Sequence, residues 1–172
     1  MSTKETVLIA YFTQKGKEKE SATARVAAQL TSCLAADYDP RNFDIIPVET
    51  YPTDSDVFMQ AARAELETNA RPEIMGKYNG MASINKIVLV VPNWFNSVPM
   101  AVMTFLDQYD FAGKRIIPVV IHHGDGGTEV ADRLRHHLRH SDVYPCIAIK
   151  DTAIESDAAQ LDAVLRDLSH ER

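Results

Sequence analysis

"VLIAYFTQKGKEKESATARVAAQL", residues 7–30, sets how the rest of the chain is read. Its first six residues, 7–12, form a continuous apolar run, as in a strand buried on both faces. From Ser21 onward, Ala22, Val26, Ala27, Leu30 and Leu34 recur at helical spacing, with Arg25 and Gln29 turned outward. The loop between strand and helix lies where many α/β proteins hold a phosphate. It carries one glycine, three lysines and two glutamates where a phosphate cradle usually wants glycine, serine and threonine.

The same alternation continues to the end of the chain. "FDIIPV" (43–48) is a second strand, stopped by Pro47 and the turn-rich "ETYPTDSD". Asp54 or Ser55 caps a helix to about Asn69, with Phe58, Ala61, Ala62 and Leu66 on its inner face. "KIVLVVP" (86–92) is the third strand, and Pro99 opens a helix containing Val102, Met103, Leu106 and Tyr109. "RIIPVVIH" (115–122) is the fourth strand, before a helix traced by Val130, Ala131, Leu134 and Leu138. "YPCIAI" (144–149) is the fifth, and Ala158, Leu161, Val164, Leu165 and Leu168 mark the last helix. Five strands alternating with five helices, without a repeat or linker, predict a single α/β domain over residues 1–172. Its core is a five-stranded parallel sheet with helices on both faces. Ligands of such sheets bind beyond the carboxyl ends of the strands, which singles out the loops after strands one, three and four.

Composition narrows the function classes. The 172 residues are 45% hydrophobic and 24% charged, as in a soluble globular domain, and the formal charge of −6 disfavours nucleic acid as a partner. No run approaches the roughly 18–20 apolar residues of a membrane span, and the N-terminus does not resemble a signal peptide. Cys33 and Cys146 lie far apart in helix-like and strand-like runs, which predicts buried thiols in a reducing, cytoplasmic setting. His136 and His140, four apart among three arginines, read as a solvated helix face rather than a metal pair, so no metal is expected.

Two further loops stand out. "PNWFNSVP" (92–99) sets the single tryptophan, Trp94, beside Phe95 and between two prolines. Trp94 there either stacks on a flat ring or packs down on a neighbouring helix. Asn93, Asn96 and Ser97 add the hydrogen-bonding groups a heterocycle needs at its edge. "IHHGDGGT" (121–128) has three glycines that let backbone amides approach a ligand, and Asp125 can accept from a ring N–H.

Together these segments resemble the flavodoxin-like family that binds flavin mononucleotide (FMN), as seen in bacterial flavodoxins. "VLIAYFTQKG" resembles its first strand and phosphate loop. "PNWFNSVPMAVMTFLDQYDFAGKRIIPVVIHHGDGG" resembles its aromatic loop, following helix, fourth strand and third loop. The resemblance implies a doubly wound sandwich of strand order 2-1-3-4-5 with FMN at the carboxyl edge. It also implies a cofactor site drawn from three stretches. These are Thr13, Gln14, Lys15, Gly16 and Lys17; Pro92, Asn93, Trp94, Phe95, Asn96 and Ser97; and His122, His123, Gly124, Asp125 and Gly126. Lys15 stands where the family has threonine, Lys17 and Glu18 where it has asparagine and threonine, Ile121 where it has threonine, and Asp125 where it has serine. Each exchange removes a group of the family's cofactor pattern, so the loop is expected to be a modified, weaker phosphate site in which Lys15, Lys17 and Lys19 compensate. A carboxylate at Asp125 would disfavour an anionic reduced ring, and a protonated His122 or His123 would favour one.

No nucleophile or triad is visible, so the chemistry is expected to rest on the flavin. The resemblance implies an electron-transfer flavoprotein that shuttles one or two electrons between redox partner proteins, as a monomer or homodimer. Two alternatives stand beside it: an NAD(P)H-dependent flavin or quinone reductase, and a cofactor-free domain that keeps the fold. The short loops leave little room for a nicotinamide-binding module, which favours the carrier.

Overall fold

In a computed structural model, residues 3–17, 21–124, 127–156 and 158–171 are described. The first strand, β1 (Thr6–Phe12), lies between β2 (Asp39–Ile45) and β3 (Lys86–Pro92), and pairs with both in parallel. Next to β3 comes β4 (Arg115–His122), whose far edge takes β5 (Asp142–Val143) and β6 (Ile147–Lys150) in turn, again in parallel. The order is β2-β1-β3-β4-β5, with β6 also on β4. The helices α1 (Ala22–Leu34), α2 (Ser55–Glu67), α3 (Met100–Asp107), α4 (Glu129–His137) and α5 (Ala158–Ser169) fill the crossovers and the C-terminus. Among the described residues no helix is long and apolar enough to cross a membrane.

Alternation along the strands divides the core in two. Val7, Ile9, Val88, Val90, Ile117 and Val119 pack with Val26 and Leu30 of α1 and Val164 and Leu168 of α5. Leu8, Ala10, Leu89, Val91, Ile116 and Val120 pack with Ala101 and Phe105 of α3 and Val130 and Leu134 of α4. A large side chain of this kind, fully buried, contributes about 1.5–3 kcal/mol, so the central strands and the helix faces packed on them share the driving force.

Three expectations need correction. The second strand runs Asp39–Ile45, not 43–48. As the edge strand it leaves Arg41 and Asn42 exposed, so its first half carries no apolar signal. Pro47 lies beyond it, in an isolated antiparallel bridge to Ile74. The fifth strand is split: Ile116 pairs with Val143 and Val119 with Ile147, so three residues, Tyr144–Cys146, span a stretch where β4 has two. Pro145 has no N–H for the ladder, which explains the break there. Cys33 is exposed rather than buried, because α1 buries Val26, Ala27, Leu30 and Leu34 and leaves position 33 outside.

The amino edge of β4 is pinned by two cations. Buried Lys114 donates from Nζ to the carbonyls of Met81 and Ile84. Arg115 donates from Nη1 to the carbonyls of Asp167 and Leu168, each at 2.9 Å, closing the C-terminal end of α5. Helix α2 is held differently. Ala62 is its one buried residue, Leu66 packs in part against the core, and Phe58, Arg63 and Glu65 meet Trp94, Phe95 and Tyr51 of the carboxyl-edge loops.

Candidate functional site

A cleft of about 360 Å³ opens at the carboxyl edge, between the loop after β1 and the ends of β3 and β4. On its β3–β4 side it is lined by Pro92, Trp94 and Ile121. On its β1–α1 side it is lined by Gln14, Lys17, Ser21 and Arg25, and His123 and Asp151 close the rim.

The β3–β4 side is rigid by construction. Asn93 N–H donates to the Ile121 carbonyl at 2.9 Å, extending the ladder past Pro92. Trp94 and Ser97 then exchange both backbone hydrogen bonds at 3.0 Å. Between them Phe95 (φ 57°) and Asn96 (φ 58°) both lie in the left-handed region, as in a type I′ turn. Asparagine tolerates that region, whereas a phenylalanine there needs support from its surroundings. Arg63 of α2 provides it, with Cζ 4.5 Å from the centre of the Phe95 ring. Trp94 meets Phe12, Tyr51 and Phe58 nearly at right angles, with centroids 5.1, 5.5 and 5.1 Å away. The open question about Trp94 thus has a double answer: it anchors a ring cluster and also walls the cleft. Tyr51 donates to Glu65 at 2.7 Å, and burial pushes its phenol far above the ordinary range. Ser97 is buried, and its Oγ has no hydrogen-bond partner among the described residues.

Gly127 locks the third loop against the second. A Cβ there would stand 3.0 Å from Val120 Cγ1 and 3.2 Å from Asn93 Cγ, and its φ is +62°. Only glycine permits both the approach and the backbone. His122 Nδ1 accepts from the Gly124 N–H at 3.1 Å, while exposed His123 pairs through Nδ1 with Asp151 Oδ2 at 2.8 Å. That hydrogen bond holds the Asp151 carboxyl below the usual carboxylate range. Asp125 and Gly126 lie outside the described residues.

The β1–α1 side is built on other chemistry. Lys17 N–H donates to the Gln14 carbonyl at 2.9 Å, and Gly16, at φ 86°, takes the position of this turn that needs a positive φ. Thr13 is 1% exposed, and its hydroxyl donates to Asp44 Oδ1 at 2.6 Å. Thr23 donates its hydroxyl to the Phe12 carbonyl. Ser21 caps α1, accepting from the Ala24 N–H. The three lysines part company: Lys15 reaches away to the Val48 carbonyl at 3.2 Å, Lys17 lines the cleft, and Lys19 lies outside the described residues, as do Glu18 and Glu20.

Of the sequence-derived candidates, Thr13, Gln14, Lys17, Pro92, Trp94 and His123 line the cleft. Lys15 and Gly16 shape its turn, and Asn93, Phe95, Asn96 and Ser97 form the aromatic loop behind the Trp94 wall. The sequence reading missed Ser21, Arg25 and Asp151. Arg25 does point away from the core, as its spacing says, but outward at that turn of α1 is into the cleft. Asp151 follows the fifth strand, a loop passed over. His136 and His140 do not share the solvated helix face expected of them, because α4 ends at His137.

A family model described as flavodoxin matches residues 6–166. Among solved structures, the chain is similar to a putative flavoprotein from Bacteroides eggerthii, at 21% identity over 93% of this chain and 98% of that one, with a TM-score of 0.73. It is similar to a flavoprotein in complex with FMN from Lactobacillus acidophilus, at 17% identity over 92% and 99%, with a TM-score of 0.69. It is also similar to an FMN-bound flavodoxin from Fusobacterium nucleatum, at 12% identity over 95% and 98%, with a TM-score of 0.53. No curated protein matches the chain.

Proposed function

The chain belongs to the flavodoxin family, and on that premise we propose that the carboxyl-edge cleft binds FMN and that the protein carries electrons between redox partners. The observation that carries this reading is one cleft with two unlike sides. Trp94, Pro92 and Ile121 offer a flat, largely apolar wall, and Lys17 and Arg25 stand beside the capped start of α1. Such a wall suits an isoalloxazine ring, and cations at a helix N-terminus suit a phosphate monoester. Two of the similar solved structures are FMN complexes, which supports the same cofactor.

Bound there, FMN supplies the redox chemistry, taking up and releasing one or two electrons. The protein's part is to hold and shield it. Trp94, braced by three nearly perpendicular rings, would offer a pre-set surface, and Pro92 and Ile121 would extend its apolar wall. The buried Ser97 hydroxyl, in the turn that holds Trp94 and without a partner among the described residues, offers a hydrogen-bonding group. Asn93, Phe95, Asn96, His122 and Gly124 complete the proposed ring surroundings, and Thr13, Gln14, Lys15, Gly16 and Lys17 the loop at the phosphate end.

A cofactor-free domain is the competing reading. It is favoured by the Thr13 and Thr23 hydroxyls, which donate to Asp44 and Phe12 rather than into the cleft. Purified protein mixed with FMN and desalted should keep a visible flavin band, and should then oxidise NADPH only slowly. A colourless product after desalting contradicts the cofactor. Rapid turnover of NADPH contradicts the carrier and replaces it with a self-contained reductase.

A further inference from the structure

Arg25 stands one turn into α1 and lines the cleft. Its Nη1 donates to Glu155 Oε1 at 2.8 Å, so the pair spans from α1 to the turn that follows β6. The side chains keep 48% and 65% of their exposure, so water reaches both. An ion pair this open is weakly held, being screened by solvent and salt.

The other donors at that end of the cleft are largely committed. The hydroxyls of Thr13 and Thr23 serve Asp44 and the Phe12 carbonyl, and Lys15 serves Val48. Lys17 and Arg25 are the cations that line the cleft among the described residues. A guanidinium carries five N–H donors in a planar fork that matches phosphate oxygens, and a single N–H is engaged by Glu155. A phosphate monoester carries nearly two negative charges at neutral pH, against one on a carboxylate. Glu155 leaves donors free for a phosphate, but its carboxylate repels the phosphate charge and draws the guanidinium toward the turn after β6, so the two anions compete.

We propose that Arg25 selects the phosphate of the flavin nucleotide and that Glu155 is its built-in competitor, so that this pair sets the preference for FMN over riboflavin. The proposal rests on the cleft binding flavin. On this reading Arg25 adds a counter-charge from the first turn of α1, beside Lys17 of the loop, where the Thr13 and Thr23 hydroxyls serve other acceptors.

Fluorescence titrations of FMN and of riboflavin into the wild type, Arg25→Gln and Glu155→Gln at fixed ionic strength test it. Arg25→Gln should weaken FMN about tenfold or more and leave riboflavin within about twofold, the loss expected for a charge-assisted phosphate contact. Glu155→Gln should tighten FMN by about threefold and leave riboflavin unchanged, as expected from removing a weak exposed competitor. Retained riboflavin affinity also shows that each variant is folded. The proposal is overturned if Arg25→Gln weakens both flavins alike or neither, or if Glu155→Gln weakens FMN, which would make the pair a structural clasp. A wild type that binds both flavins equally overturns it alone. A wild type that binds neither removes the FMN reading as well.

Discussion

The turn at Trp94–Ser97 and the loop after β1 border the same cleft, yet they hold their shape by different means. The first is over-determined: two backbone hydrogen bonds, a guanidinium on Phe95, three rings around Trp94 and a glycine pressed on Asn93 all fix one geometry. The second is held from below, by Thr13 on Asp44 and by a glycine turn, and its Lys15 and Lys17 reach in different directions. The difference teaches that shape recognition and charge recognition need different scaffolds. A flat ring needs a wall that does not move. A phosphate can be met by cations on long, exposed side chains.

The largest test of that contrast is Trp94→Ala. Losing a half-buried hub shared by Phe12, Tyr51 and Phe58 should lower the unfolding free energy by about 2–4 kcal/mol, read from chemical denaturation. A loss no greater than that of an exposed side chain would show that the ring cluster does not support the wall.

Gly127→Ala should come next, at about 1–3 kcal/mol, because it combines a positive φ with overlap on Val120 and Asn93. It acts only through the ring side, so FMN and riboflavin should weaken by the same factor. A selective loss of FMN would break the comparison.

Thr13→Val probes the other side. The hydroxyl's bond to a carboxylate is worth about 1–2 kcal/mol of stability, and its removal should leave flavin affinity within about twofold. If FMN alone weakens strongly, the hydroxyl serves the phosphate after all, and the division of labour between hydroxyls and cations is wrong.

The smallest effect is at the rim. A carboxyl lowered in the folded state, as Asp151 is by His123, adds stability above its unfolded value near ~4 and loses it as pH falls through the lower folded value. Denaturation midpoints measured between pH 5 and 3 should therefore fall slightly less steeply in Asp151→Asn. Identical slopes would mean that the pair contributes nothing on this exposed rim.

How legible these features were depended on where their partners lie. β1, β3 and β4 read directly from the sequence, since strands buried on both faces must be continuous apolar runs. β2 was misplaced because an edge strand carries Arg41 and Asn42 without penalty, and the break after Val143 was hidden because Pro145 sits inside an otherwise strand-like run. Trp94 and its turn were visible as a rare residue between prolines, but Gly127 mattered through a contact with Asn93 that no local pattern encodes. The phosphate end was least legible. The hydroxyl of Thr13 is decided by Asp44 on a neighbouring strand, and the role of Arg25 by which way one helix turn faces a cleft.

Trp94 is the one tryptophan of the chain, so its emission reports on the ring wall without interference. A titration of the protein with FMN, following that emission and the flavin fluorescence together, tests the central claim most directly. The account predicts that both signals are quenched, saturating at one FMN per chain. Tryptophan emission that stays constant while FMN remains fully fluorescent would contradict it.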